Sequence, residues 1–149
     1  MKCTMPKNSP IPIVVAVVRD KQGRLLIAKR RDRKFERANG LWELPGGHIE
    51  FKEDSKKAAI RECLEETGLK VKVLRLLPGI YNNFWEDQKG KGYHTILISY
   101  ECLAIGGKLH DKKHDYKIGE LRWINLKDLY KYRLLPKTKE IIDLLKLHS

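Results

Sequence analysis

The sequence predicts a mixed α/β domain of the α+β type, in which a β-sheet carries helices. Three observations lead there: runs of β-branched residues recur along most of the chain, one central segment switches to helical period, and a second apolar periodic segment closes the chain. At 149 residues the chain suits one domain with a genuine core, spanning 1–149 with a proline-punctuated, extended lead-in over 1–12.

The elements follow in order. "IVVAVVR" (Ile13–Arg19) is a β-branched strand, "DKQG" a turn and "RLLIAKR" (Arg24–Arg30) a second strand, together a hairpin. "RDRKFERANG" is polar and reads as a loop. "LWEL" (Leu41–Leu44) is a short strand ended by "PGG". From Asp54 to Thr67 the pattern is helical, and Gly68 supplies a C-cap. "KVKVLRLLPGIYNNF" (Lys70–Phe84) and "YHTILISYECLA" (Tyr93–Ala104) are long strands joined by a loop over 85–92. Another loop covers 105–120, "LRWIN" follows as a strand, and Pro136–His148 reads as a helix through Ile141, Ile142, Leu144, Leu145 and Leu147.

Composition narrows the functional classes. With 31 Lys and Arg against 19 Asp and Glu, the net charge is +12, which favours encounters with polyanions such as nucleotides or nucleic acid. Cys3, Cys63 and Cys102 are odd in number and widely spaced, which points to reduced thiols, a cytoplasmic setting and no zinc site. No segment approaches the roughly 20 apolar residues that span a bilayer, so no membrane association is expected.

Against this basic background, Glu62, Glu65 and Glu66 crowd one helix. At about 100° per residue they fall within roughly 100° of each other, with Ile60, Cys63, Leu64 and Thr67 on the opposite, packing side. Like charges at i,i+3 and i,i+4 each cost about 0.2–0.5 kcal/mol. Convergent oxygens on a rigid element are what Mg²⁺ or Mn²⁺ requires, and a dication would reverse the repulsion. Gly46 and Gly47 just upstream let backbone approach a metal or phosphate closely.

Gly47, five residues, Glu53, seven residues, then Arg61-Glu62-Cys63-Leu64-Glu65-Glu66-Thr67-Gly68-Leu69 resembles the full signature of the Nudix (MutT-like) hydrolases, with Cys63 in an apolar slot. The resemblance implies the Nudix fold, a mixed β-sheet sandwiched between helices, with the motif as loop–helix–loop. It implies attack of water on a phosphorus of a nucleoside diphosphate derivative. By position, Glu62, Glu65 and Glu66 would hold Mg²⁺ or Mn²⁺ with the carbonyl of Gly46, and Glu53 would orient a ligand or bind metal through water. Arg61 would hold carboxylates in place. An additional acid is expected from the loop before the last strand, where Asp111, Asp115 and Glu120 are candidates and Glu120 is favoured.

The leaving group is less constrained. "RDKQGRLLIAKRR" is similar to the hairpin of MutT-type nucleoside triphosphate pyrophosphohydrolases, which would turn Arg31, with Arg30, toward phosphates. Tyr81, Phe84, Trp85 and Tyr93 flank the loop between the long strands and are candidates to stack on a base. The proline of ADP-ribose hydrolases, some 16 residues past the motif, is replaced by Trp85; Glu86 and Asp87 stand near the tyrosine of dinucleoside-polyphosphate members. The C-terminal segment lacks the asparagine that grips oxidised guanine. What remains is a (deoxy)nucleoside triphosphate, with nucleotide sugars and ADP-ribose as alternatives and a homodimer admitted by likeness. A nucleic-acid-binding or regulatory module, suggested by "KRRDRK" (29–34) and "DKK" (111–113), is the other class. Such modules usually lose motif glutamates, and this sequence loses none.

Overall fold

The computed structural model describes residues 8–110 and 118–147. Strand β1 (Ile11–Arg19) lies at the centre of the sheet and is buried on both faces. Its alternation sends Val15 and Val17 into one core cluster and Val14, Ala16 and Val18 into another, which is why the run reads as continuously apolar. β2 (Leu25–Arg30) does the same with Leu25 and Ile27 against Leu26. The turn between them is set by Asp20, whose Oδ1 accepts from the amides of Gln22 and Arg24 at 2.9 Å, and by Gly23 at φ 80°.

Two short strands follow. β3 (Trp42–Glu43) pairs with β2, and β4 (Gly46–His48) pairs with β1. The glycines therefore do more than end a strand: they form one. Helix α1 (Ser55–Thr67) starts where the Asp54 carboxylate accepts from the amides of Lys56 and Lys57, at 2.8 and 3.4 Å. It stops at Gly68, φ 80°, whose amide donates to the Leu64 carbonyl. β5 (Leu69–Glu86) and β6 (Gly92–Gly107) make a longer ribbon than the sequence suggested. Asp87 closes its turn by accepting from the Lys89 and Lys91 amides, so the predicted eight-residue loop shortens to five. β7 (Ile118–Ile124) begins three residues early for the same reason, extended pairing with β2.

The C-terminal helix is the largest departure. A 3₁₀ turn spans Leu126–Lys131, and α2 covers only Thr138–Asp143 before tightening into 3₁₀ at Leu144–Lys146. Lys137 sits in left-handed conformation at φ 73°, so helical geometry cannot extend back to Pro136. Ile141, Ile142 and Leu144 are buried as expected, whereas Leu147 is exposed.

β1 runs parallel to β6 from Ile11↔Thr95 to Arg19↔Leu103, and β6 pairs antiparallel with edge strand β5. On the other edge of β1 the register divides. Arg19 pairs with Leu25 of β2, but Val15, Val14 and Ile13 pair with Gly46, Gly47 and His48 of β4. The sheet thus forks between β1 and β2, and the β3–β4 segment crosses the fork. α1 covers one face through Ala58, Ala59 and Cys63, while the C-terminal helical segment covers the other through Ile141, Ile142 and Leu144. Helices therefore sandwich a mixed sheet. Among the described residues, no helix is long and apolar enough to cross a membrane.

Candidate active site at the fork

The fork brings the motif together. Gly47 faces α1 so closely that a Cβ there would meet both Glu62 carboxylate oxygens at 2.5 and 2.6 Å. Gly46 donates its amide toward Glu66 Oε2 at 3.5 Å, and a Cβ on it would strike the Val14 carbonyl. Only glycine lets this strand run beneath two glutamates.

The helix is rotated from the orientation expected. Its buried stripe is Ala58, Ala59, Cys63 and Thr67, and Ile60 and Leu64 are exposed. Small side chains let α1 approach the sheet, which turns half-buried Glu62 and Glu66 toward β4 instead of away from the core. Burial pushes the Glu62 carboxyl up, against the lowering pull of Arg61.

Arg61 answers the repulsion among the carboxylates. Its Nε and Nη2 donate to the two oxygens of Glu53 at 2.7 and 2.9 Å. Nη1 donates to Glu62 at 3.0 Å and Glu65 at 3.1 Å, and Nη2 also reaches the His48 carbonyl at 3.0 Å. Glu50 stands 3.7 Å away. One planar guanidinium thus ties the loop before α1 to the helix, a role that a point-charge lysine fills poorly. These hydrogen bonds hold the Glu53 carboxyl down at about 2 and raise the Arg61 guanidinium further. The Glu50 and Glu53 segments also bond each other, Glu53 N to Glu50 O and Glu50 N to Glu53 Oε1, both at 3.0 Å. Sequence reasoning missed Glu50; its place three residues before Glu53 in a tight turn was the available signal.

The donor set is entirely hard oxygen, which fits Mg²⁺ or Mn²⁺ and not a soft metal. As the side chains stand, Arg61 is the cation they share, and among the described residues no three acidic, His or Cys groups converge on one point. Metal binding would turn Glu62 and Glu65 off Arg61, while Glu53 keeps it in place.

The remaining candidates separate. Glu120 pairs with Arg122 on its own strand. β7 runs along the edge of β2 opposite β1 and β3, which sets the Glu120 backbone across β2 from the fork. Asp111 and Asp115 lie outside the described residues. Arg30 is committed to Asp32 at 2.7 Å and Glu43 at 3.0 Å, on the β2 wall of the fork, whereas Arg31 is exposed just past it. Tyr81 packs against the core on the α2 face, while Phe84 stacks on His94 at 4.6 Å on the opposite face, so no single base can stack on both. Trp85 and Tyr93 receive Phe35 from the 31–40 loop, at 6.0 and 5.3 Å between ring centroids.

A family model described as NUDIX domain matches residues 10–145. A "MutT-like protein" of Streptomyces ambofaciens is 40% identical over 71% of this chain and 59% of its own length. An "ADP-ribose pyrophosphatase" of Methanocaldococcus jannaschii is 37% identical over 65% of this chain and 53% of its own. The chain spans about half the length of the curated relatives it matches. A crystal structure titled MutT NUDIX hydrolase, from Burkholderia pseudomallei, shares the fold with a TM-score of 0.76 at 24% identity, covering 93% of this chain and 99% of the other. A motif complete in every specified position is folded here as the end of β4, a loop and helix α1 capped at Gly68, across the sheet's fork and within a domain matched over residues 10–145, and the chain belongs to the Nudix family.

Proposed function

We propose that this chain is a pyrophosphohydrolase that cleaves a nucleoside triphosphate to the monophosphate and pyrophosphate, with Mg²⁺ or Mn²⁺ held by Glu62, Glu65, Glu66 and the Gly46 carbonyl. One observation carries this reading: bare glycine backbone lies against Glu62 and Glu66 while a single arginine organises Glu53, Glu62 and Glu65. Hard dications bound by such oxygens neutralise charge on phosphoryl groups and make water more acidic.

The chain's own residues supply positioning. Gly46 and Gly47 leave room for a phosphate or metal beside the helix, Arg61 fixes the loop carboxylate Glu53, and exposed Arg31 offers charge to the polyphosphate from the far wall. In the reaction, a water oxygen bonds phosphorus, the bridging P–O bond breaks with its electron pair, and the water protons are released or passed to the leaving oxygen. The MutT-like hairpin favours a triphosphate; the archaeal relative named ADP-ribose pyrophosphatase makes ADP-ribose the second reading.

Incubation with a nucleotide panel in ¹⁸O-water and Mg²⁺ tests the proposal. Monophosphate plus pyrophosphate, one of them labelled, is the expected result. Orthophosphate plus diphosphate as the main products would overturn the triphosphate reading.

A further inference from the structure

The fork divides the sheet into two halves. One is β1 with β4, β5 and β6, the other is β2 with β3 and β7, and the two join at Arg19↔Leu25. The motif carboxylates belong to the first half. Gly46 and Gly47 pair with Val15 and Val14, and α1 packs with Val14, Ala16 and Val18 through Ala58, Ala59 and Cys63. Arg31 belongs to the second half, one residue past the end of β2. β2 runs back toward the start of β1, and β6 passes that same end at Ile11↔Thr95. The 31–40 loop and the β5–β6 turn therefore leave the sheet side by side.

They are in contact. Phe35 sets its ring against Trp85 and Tyr93, Lys34 Nζ stands 4.4 Å from the centre of the Tyr93 ring, and Gln88 Nε2 donates to the Arg33 carbonyl at 3.1 Å. The loop has its own internal bonds. Asp32 Oδ1 accepts from the Lys34 and Phe35 amides at 2.9 and 2.8 Å. Asn39 Oδ1 accepts from the Asp32 amide at 3.0 Å, and the Gly40 amide donates to the Arg30 carbonyl at 2.8 Å. Phe35 thus fixes where the loop stands and not how it folds. Arg30 is tied to Asp32 and Glu43, which leaves Arg31 as the exposed cation between Arg30 and Asp32. A second tie between the halves, from Trp42 through residues 133–136 to Asn83, grips β3 and leaves the end of β2 to the loop.

We propose that Phe35 is a positioning residue for the substrate: docked on Trp85 and Tyr93, it latches the β2 half to the half that carries the carboxylates, and so sets Arg31 at the right span from them for a polyphosphate. This role rests on the pyrophosphohydrolase reading, in which Arg31 meets the phosphates. Phosphates bound at the carboxylates and at Arg31 bridge the fork, so the spacing of its two walls decides how well one chain of phosphates satisfies both. A latch of packed rings fixes that spacing before substrate arrives, which spares the ordering cost on binding.

Steady-state kinetics of a nucleoside triphosphate in Mg²⁺, beside calorimetric titration with its α,β-methylene analogue, tests this in the full chain. Phe35→Ala should raise KM and Kd about tenfold and leave kcat within about twofold, as lost uniform binding does. Phe35→Tyr keeps the ring and should restore the parent values. Trp85→Ala opens the same dock from the hairpin side and should repeat the effect, so a misfolded Phe35→Ala leaves the test intact. Arg31→Ala should weaken binding to a similar extent, and either dock substitution placed on top of it should add little, because one residue acts through the other. Additive losses in the double variants, or dock variants with the parent's KM and Kd, would overturn the proposal. A parent that binds the analogue with this coupling yet turns over no nucleotide would uphold the latch and defeat the hydrolase reading; turnover without the coupling would do the reverse.

Discussion

Replacing Gly47 by alanine isolates the position of one carboxylate. The added Cβ would meet the Glu62 oxygens at 2.5 and 2.6 Å, whereas ordinary contact begins near 3.4 Å, so the carboxylate must move by about 1 Å. The atoms displaced are the end of a flexible side chain, so the fold has little to lose: Gly→Ala where φ is compatible changes stability by less than about 1 kcal/mol. A 1 Å misplacement at a reacting centre costs about 10²-fold, or about 2.7 kcal/mol at 1.36 kcal/mol per tenfold. Gly46→Ala is the contrast. There the Cβ strikes the Val14 carbonyl and stands 3.1 Å from Val15 Cα, both rigid backbone in the β1–β4 pairing. Overpacking of that kind costs about 1–3 kcal/mol, several degrees of melting temperature in a chain this size. Steady-state turnover of a nucleoside triphosphate beside a thermal melt reads both variants. Gly47→Ala should lose activity and keep its Tm; Gly46→Ala should lose Tm. Full turnover in Gly47→Ala would show that the placement of Glu62 is immaterial.

Three further outcomes follow from the same geometry. Glu66→Gln should lower kcat by about 10³, some 4 kcal/mol, while the Tm measured in chelator stays level or rises slightly, since like-charge pairs cost about 0.2–0.5 kcal/mol each; a variant that unfolds yet keeps its specific activity would make the cluster structural. The Glu53 carboxyl titrates in the fold at about 2 against an ordinary 4.5, so the stability it contributes is complete above about 4.5 and is lost as pH falls toward 2. The Tm gap between the parent and Glu53→Gln should therefore close across that window, and a gap that widens on acidification contradicts the Arg61–Glu53 pairing. ADP-ribose should show a lower kcat/KM than at least one nucleoside triphosphate; the reverse order would select the second reading and leave the family untouched.

Local signals were legible in the sequence where a single element decided them. Asp54 and Gly68 bound α1 as read, because capping is settled within a few residues. Burial of β1 on both faces follows from an apolar run without alternation. The face of α1 was not legible, since Ile60 and Leu64 look like core residues until the glycine strand draws the helix in close on Ala58, Ala59 and Cys63. The β4 strand was hidden because two glycines carry no strand propensity, and its pairing with β1 is long-range. The engagement of Arg30 with Glu43 and the insertion of Phe35 between Trp85 and Tyr93 are likewise contacts between distant segments that no local pattern encodes. The short α2 was set by Lys137 in left-handed conformation, a residue with no turn signature of its own.

Divalent-metal binding by the carboxylates facing Gly46 and Gly47 is the basis of the proposed activity. Titration of the chain with Mn²⁺, followed by loss of the free-ion EPR signal, measures this without reference to any substrate. The parent should bind Mn²⁺, Mg²⁺ should compete, and the combined Glu62→Gln, Glu65→Gln, Glu66→Gln variant should bind at least tenfold more weakly, about 1.4 kcal/mol. Equal affinity in parent and triple variant would place the metal elsewhere and contradict the account.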